Sequence, residues 1–226
     1  MLRAVVLSLR ASTELGRLTL IGSGLNPAEA LDYRERQVLA AALADQIERG
    51  EFKQALLAKV RGYVMDSVGV PHQNDIGEWD DASFAWSDAS DHSTCLRVRS
   101  NADPTRQGTY SDGRGVATVV APQLYFVREG PHRDRRGLRQ NSPILIDRHG
   151  ADHVRGKGLE FRQAAGDWPY TNEHEDKGAG TGSAGCGTYP GGEWDRLYGL
   201  LRGVGRVPVV MIDESDVRAW KAAGLL

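Results

Sequence analysis

From Gly69 to about residue 212 the chain is broken repeatedly by Gly, Asp, Asn and Ser, and between the breaks lie short runs rich in β-branched and aromatic residues. The clearest are GVATVV at 115–120, QLYFV at 123–127, PILID at 143–147 and RVPVVMI at 206–212. Runs this short are the length of strands and too brief for helices, so this stretch is expected to hold many strands joined by loops. Pro122 falls at the expected turn between the first two runs. Helical spacing returns at Trp194, Leu197, Leu200 and Leu201, and again from Asp216 to Ala223. The expected class is α+β, with a β-rich domain over 69–226.

Residues 1–68 read as a helical N-terminal region. Asn26-Pro27-Ala28-Glu29 has the order of a helix start, with Asn26 as N-cap, Pro27 in the first turn and Glu29 reaching back as in a capping box. Leu31, Val38, Leu39, Ala42, Leu43 and Ile47 keep a helical period up to Gly50, and Phe52, Leu56, Val60 and Val64 repeat every four residues. The two segments together predict a helical hairpin, preceded by a short strand at RLTLIGSG. The apolar run AVVLSL is only six residues long before Arg10. It is shorter than the apolar part of a signal peptide and far shorter than a membrane span, so synthesis in the cytoplasm without a signal peptide is expected.

With 226 residues, 40% of them hydrophobic, the chain can bury a sizeable core. Its 28 Lys and Arg against 30 Asp and Glu give a net charge of −2, with the signs interspersed. No bulk charge favours nucleic acid or an anionic membrane.

There are two cysteines, Cys95 and Cys186, and no C-x-x-C pair, which favours free thiols over a disulfide framework or a zinc ribbon. Cys186 stands in GTGSAGCGTYPGGEW, among residues with almost no side-chain bulk. Such backbone lets consecutive N–H groups converge on a developing oxyanion. His174 lies upstream in the pattern H-x8-S-x-G-C, within reach to take the proton of the thiol. The helix that follows adds a positive N-terminal end.

NEHEDKGAGTGSAGCGTYP resembles the His…Ser-x-Gly-Cys signature of L,D-transpeptidase (YkuD-type) catalytic domains, and more closely their phage-associated relatives with a Ser-Ala-Gly-Cys loop. NDIGEWDDASFAW, RVRSNADPT and GVATVVAPQLYFVREGPHRDRRGLRQNSPILIDRHG are similar, in order, to further segments of those relatives, over about residues 70 to 212. The resemblance implies a β-rich fold acting on peptidoglycan stem peptides through a thioester on Cys186. It casts His174 as proton acceptor and donor, backbone N–H groups at Gly185 and Cys186 as oxyanion donors, and Ser183 as a residue orienting the loop. No metal or organic cofactor is implied, and the site of action would be the cell wall or periplasm, with association to a virion or secretion machine. Family members usually carry histidine between Ser and Gly and arginine soon after the cysteine, where this chain has Ala184 and Gly187-Thr188. Gripping a substrate carboxylate then falls to other residues, and His132 and Arg133 in GPHRDRR are the candidates.

Three other constellations are weaker. His149 and His153 with Asp147 and Asp152 have metal-binding chemistry, but their spacing suits a helix and Gly150 follows a strand-like run. Asp80 and Asp81 are adjacent, so on a strand they point to opposite faces and cannot flank one glycosidic bond. Trp79, Trp86 and Trp168 offer a sugar-stacking surface, although core packing is the commoner fate of tryptophan. The alternative to an enzyme is a structural or wall-binding component that keeps the fold without the chemistry.

Overall fold

The computed structural model describes residues 1–22, 27–63, 79–87, 95–102, 117–132, 134–142, 144–148, 159–162, 172–176 and 186–226. Among the described residues four helices and eleven strands follow in chain order: α1 (Leu2–Gly22), α2 (Pro27–Glu48), β1 (Leu56–Arg61), β2 (Asp81–Trp86), β3 (Leu96–Ser100), β4 (Ala117–Val119), β5 (Gln123–His132), β6 (Arg135–Gln140), β7 (Ile144–Arg148), β8 (Leu159–Arg162), β9 (Glu173–Glu175), β10 (Gly187–Tyr189), α3 (Gly191–Leu201), β11 (Val207–Asp213) and α4 (Glu214–Ala222). The class is α+β.

Eight strands form one sheet in the order β10-β9-β6-β5-β11-β1-β2-β3. Its two edges nearly meet. Asn101, just after β3, exchanges backbone hydrogen bonds of 2.9 and 2.8 Å with Thr188 of β10, so the sheet curls almost into a closed barrel. Strands β4, β7 and β8 form a small antiparallel sheet. The Gln123 side chain ties it to β5, donating to the carbonyls of Val120 and Leu145 at 2.9 Å each and accepting from the Leu145 N–H at 2.7 Å.

Strand periodicity divides the core in two, because successive side chains leave a strand on opposite faces. Leu56, Ala58 and Val60 of β1, Ala82 and Phe84 of β2, Leu124 and Phe126 of β5, and Val210 and Ile212 of β11 pack against Val5, Val6, Leu9, Ala40, Leu43 and Ala44 of α1 and α2. Leu57, Ala85, Val98, Tyr125, Val127, Val209 and Met211 face the other way, where Trp194, Leu197, Tyr198 and Leu201 of α3 join them. Each fully buried aliphatic side chain contributes about 1.5–3 kcal/mol. The exposed Arg10–Glu48 pair at 2.8 Å contributes at most about 1 kcal/mol, so the apolar seam holds α1 and α2 in place.

Three expectations are corrected. Phe52, Leu56 and Val60 do not lie on a second helix: residues 56–61 are β1, paired parallel with β11 and antiparallel with β2, and Val64 lies outside the described residues. A repeat of four is also twice a repeat of two, so Leu56 and Val60 share a strand face as well as they would a helix face. The polar residues on either side of Val60, Lys59 and Arg61, are buried on the opposite face. The segment assigned to a helical N-terminal region thus supplies an inner strand of the large sheet. Residues 17–22 of RLTLIGSG belong to α1 and not to a strand, so the helical hairpin is built from α1 and α2. The β propensity of Thr19 and Ile21 spans only about 1 kcal/mol and yields to the helix running from Leu2.

The four strand-like runs lie in β4, β5, β7 and β11, and the two later helical patterns are α3 and α4. Pro27 opens α2, while Asn26 lies outside the described residues. Among the described residues no helix is long and apolar enough to cross a membrane.

Candidate active site

Strand β9 carries Glu173 and His174 on opposite faces and lies between β6 and β10. It runs parallel to β10 with Gly187 beside Glu173 and Thr188 beside His174, and antiparallel to β6 with Gly137 beside His174. The Gly187 N–H donates to the Asn172 carbonyl at 2.8 Å, which fixes the chain immediately after Cys186 against the start of β9.

This pairing brings Cys186 to His174. Cys186 Sγ, a ring nitrogen of His174 and a ring nitrogen of His132 all lie within 4.8 Å of one another. His174 is buried, while Cys186 and His132 are half-buried. The two imidazoles stack with centroids 4.6 Å apart and planes at 16°. Gly137 gives this stack room: a Cβ there would stand 3.0 Å from His132 Cβ and 3.2 Å from the Gly130 carbonyl oxygen, and these neighbours would have to give way by a few tenths of an ångström. With no side chain on Gly137, the His132 ring leans across β6 to the histidine on the next strand.

The hairpin bearing His132 is anchored to α3. Tyr198 donates its hydroxyl to Glu129, whose other oxygen accepts from the Gly203 N–H at 2.9 Å. Arg136 bonds Asp195 at 2.6 Å and lies 5.1 Å from the centre of the Tyr198 ring.

Hydrogen bonds assign a proton to each imidazole. His174 Nδ1 lies 2.8 Å from the Glu175 carbonyl oxygen, which can only accept, so Nδ1 carries the hydrogen and Nε2 of the neutral ring carries the lone pair. Burial lowers the pKa of His174 below its ordinary 6.5, against an opposing pull from the Glu175 carbonyl and the Glu173 charge. A neutral ring with Nε2 as acceptor is the form a general base needs.

His132 is held the other way. Its Nδ1 lies 2.8 Å from Nδ2 of the buried Asn172, whose Oδ1 accepts from the Gln140 N–H at 3.1 Å. The backbone donor fixes the amide orientation, so Asn172 Nδ2 donates and His132 Nδ1 accepts.

Behind β9, on the Glu173 face, sits a buried polar cluster. Lys59 Nζ bonds Glu173 Oε2 at 2.6 Å, and both side chains are almost wholly excluded from solvent. Tyr189 donates to the same carboxylate at 2.9 Å and Tyr125 at 3.2 Å. Both phenols are pushed well above their ordinary pKa, first by burial and then by the Glu173 charge. Ser83 links Tyr189 at 3.2 Å to Ser100 at 3.0 Å. Gly187 touches this cluster so closely that a Cβ would fall 1.9 Å from Lys59 Nζ and 2.0 Å from Glu173 Oε2.

His132, His174 and Cys186 are also the one group among the described residues with the chemistry to hold a metal ion. Zinc takes a neutral imidazole by its lone pair, and a ligating histidine ordinarily donates its other N–H outward. His174 meets that condition. His132 does not, because its Nδ1 accepts from Asn172 and its Nε2 keeps the hydrogen. The geometry fits a thiol–imidazole pair better than a zinc triad.

Ser183, Gly185 and Arg133 lie outside the described residues, as do His149, Asp152, His153 and Trp168. Asp81 is buried and accepts the backbone N–H groups of Gly62, at 2.6 Å, and Ala102, which makes it a brace between loops. Trp86 is buried in the core. Neither cysteine is in a disulfide, and Cys95 packs against the core beneath α1 and α2. Sequence reasoning passed over Asn172, Lys59, Glu173 and Gly137. A strand reading of NEHE puts Asn172 and His174 on one face and Glu173 on the other, and was the signal available for two of them.

In comparisons with known proteins no family model matches the chain, and no curated protein or solved structure does.

Proposed function

We propose that the protein is a cysteine-dependent acyl-transfer enzyme acting on peptidoglycan stem peptides, with Cys186 as nucleophile and His174 as general base. The observation that carries the chemistry is the approach of Cys186 Sγ to a buried, neutral His174 whose Nδ1–H is committed to the Glu175 carbonyl. The choice of peptidoglycan rests on the resemblance of the SAGC loop and the segments before it to YkuD-type domains.

The thiol proton passes to His174 Nε2, and the sulfur electron pair attacks the peptide carbonyl carbon while the π pair moves onto oxygen. Gly187 N–H is occupied by the Asn172 carbonyl, so the oxyanion falls to the Cys186 N–H and the loop before it, where Gly185 stands. Collapse breaks the C–N bond, and the leaving amine takes the proton from His174. A thioester on Cys186 remains. Water or an acceptor amine then attacks it, gives a proton to His174 and releases the thiolate, which takes that proton back. Hydrolysis and transpeptidation differ only in that acceptor.

A second reading, a wall-binding or structural component without catalysis, is favoured by Ala184 and by Gly187 in places where family members carry histidine and arginine. The experiment that separates them is digestion of purified peptidoglycan followed by mass spectrometry of the muropeptides, using the native protein, Cys186→Ala and His174→Ala. New or shortened stem peptides with the native protein, and none with either variant, are the expected result. Identical muropeptides from all three would leave the binding reading.

A further inference from the structure

We propose that His132 is a hydrogen-bond donor to the Cys186 sulfur, held as the Nε2–H tautomer opposite to that of His174, so that two stacked imidazoles divide the work of making and keeping a thiolate. This rests on the reading of Cys186 as nucleophile and reassigns His132, expected from the sequence to grip a substrate carboxylate.

Two bonds lead there. The Gln140 N–H donates to Asn172 Oδ1 at 3.1 Å, which turns Nδ2 of Asn172 toward His132 Nδ1, 2.8 Å away. An amide nitrogen only donates, so Nδ1 must offer its lone pair, and the hydrogen of the neutral ring sits on Nε2. A proton added at Nδ1 would collide with the Asn172 N–H. The ring is therefore maintained as a neutral donor, a weak partner for a carboxylate. Toward a thiolate a neutral donor has a specific use: it stabilises the charge without being able to take the proton away.

The stack sets the direction. The rings are 4.6 Å apart and nearly parallel, and one nitrogen of each lies within 4.8 Å of Sγ; because both Nδ1 atoms are already engaged, Nε2 is the nitrogen left for the sulfur, an acceptor on His174 and a donor on His132. His174 Nε2 removes the proton and His132 Nε2–H stabilises what is left. The three atoms lie within 4.8 Å of one another, and catalytic hydrogen bonds are often long in free enzymes and tighten only when substrate is bound. Hydrogen bonds to charged groups have free energies that correspond to roughly a tenfold change or more in the ionised fraction.

The direct test is the long-range proton–nitrogen spectrum of the histidine side chains in the uniformly nitrogen-15-labelled native protein at pH 7.5, assigned with His132→Gln and His174→Gln. The expected pattern is Nε2–H at His132 and Nδ1–H at His174. An Nδ1–H tautomer or an imidazolium at His132 would overturn the proposal. Asn172→Asp, which still accepts from Gln140 but cannot donate to His132, is expected to turn His132 to the Nδ1–H form; an unchanged signal in the folded variant would count against it.

The second readout is the rate of Cys186 alkylation by iodoacetamide at pH 7, measured by peptide mass spectrometry. His132→Ala should slow it about tenfold, and His132→Gln, which keeps a side-chain N–H, should stay within about threefold of native. Equal rates for native protein and His132→Ala would overturn the donor role. If instead His174→Gln leaves the native rate unchanged, the base assignment fails while the tautomer spectrum still reports on His132.

Discussion

Gly187 and Glu173 sit side by side across the parallel strands β10 and β9, and a single Cβ on Gly187 would lie 2.0 Å from Glu173 Oε2. The residue directly after the candidate nucleophile therefore packs straight against a buried ion pair, and any side chain there must displace Lys59 Nζ and the Glu173 carboxylate. A side chain as long as that of arginine could enter here only by displacing that pair.

Gly187→Ala should destabilise the fold by about 1–3 kcal/mol, the usual cost of overpacking a filled interior. Urea denaturation followed by circular dichroism measures it. A change below about 0.5 kcal/mol would mean that the Lys59–Glu173 pair moves aside freely.

Lys59 and Glu173 should behave as a coupled unit. Lys59→Met leaves a buried carboxylate without its cation and should cost about 3–5 kcal/mol, whereas Lys59→Met with Glu173→Gln should cost clearly less than the two single changes added together. A double-variant cycle by urea denaturation tests this, and strict additivity would contradict the pairing.

Acid should cost the native protein stability through His174. Its pKa is lowered on folding, mainly by burial, so the unfolded chain binds the proton more readily. The contribution is fully present above 6.5, the ordinary value, and is lost as pH falls from there through the depressed folded value. Melting temperatures between pH 7.5 and 5 should therefore fall more for the native protein than for His174→Gln. Parallel curves for the two would contradict a buried neutral imidazole.

Much of this architecture is legible in the residue order, and the exceptions have physical reasons. QLYFV and RVPVVMI are dense in β-branched and aromatic residues and become the adjacent strands β5 and β11. Trp194, Leu197 and Leu201 mark the buried face of α3, with Tyr198 completing it. β1 is obscured because Leu56 and Val60 satisfy both periods and because Lys59 and Arg61 look solvent-facing until their partners, Glu173 and Asp213, arrive from strands far along the chain. The closure between Asn101 and Thr188 runs through backbone hydrogen bonds, which any residue but proline can make in both directions, so the residue order does not announce it.

The candidate site divides in the same way. Cys186 and His174 stand out through composition and spacing. The stack of His132 on His174 passes over the bare backbone of Gly137, and the protonation of His132 depends on Asn172, two residues before His174. Such relationships exist only once β5, β6 and β9 are side by side.

The most direct measurement of Cys186 and His174 as a working pair is the alkylation of Cys186 by iodoacetamide at pH 7, compared between the native protein and His174→Gln under conditions where both are folded. The expected result is rapid labelling of the native protein and a loss of tenfold or more in the variant, since the thiolate is the reacting form. Equal labelling rates in the two would contradict it.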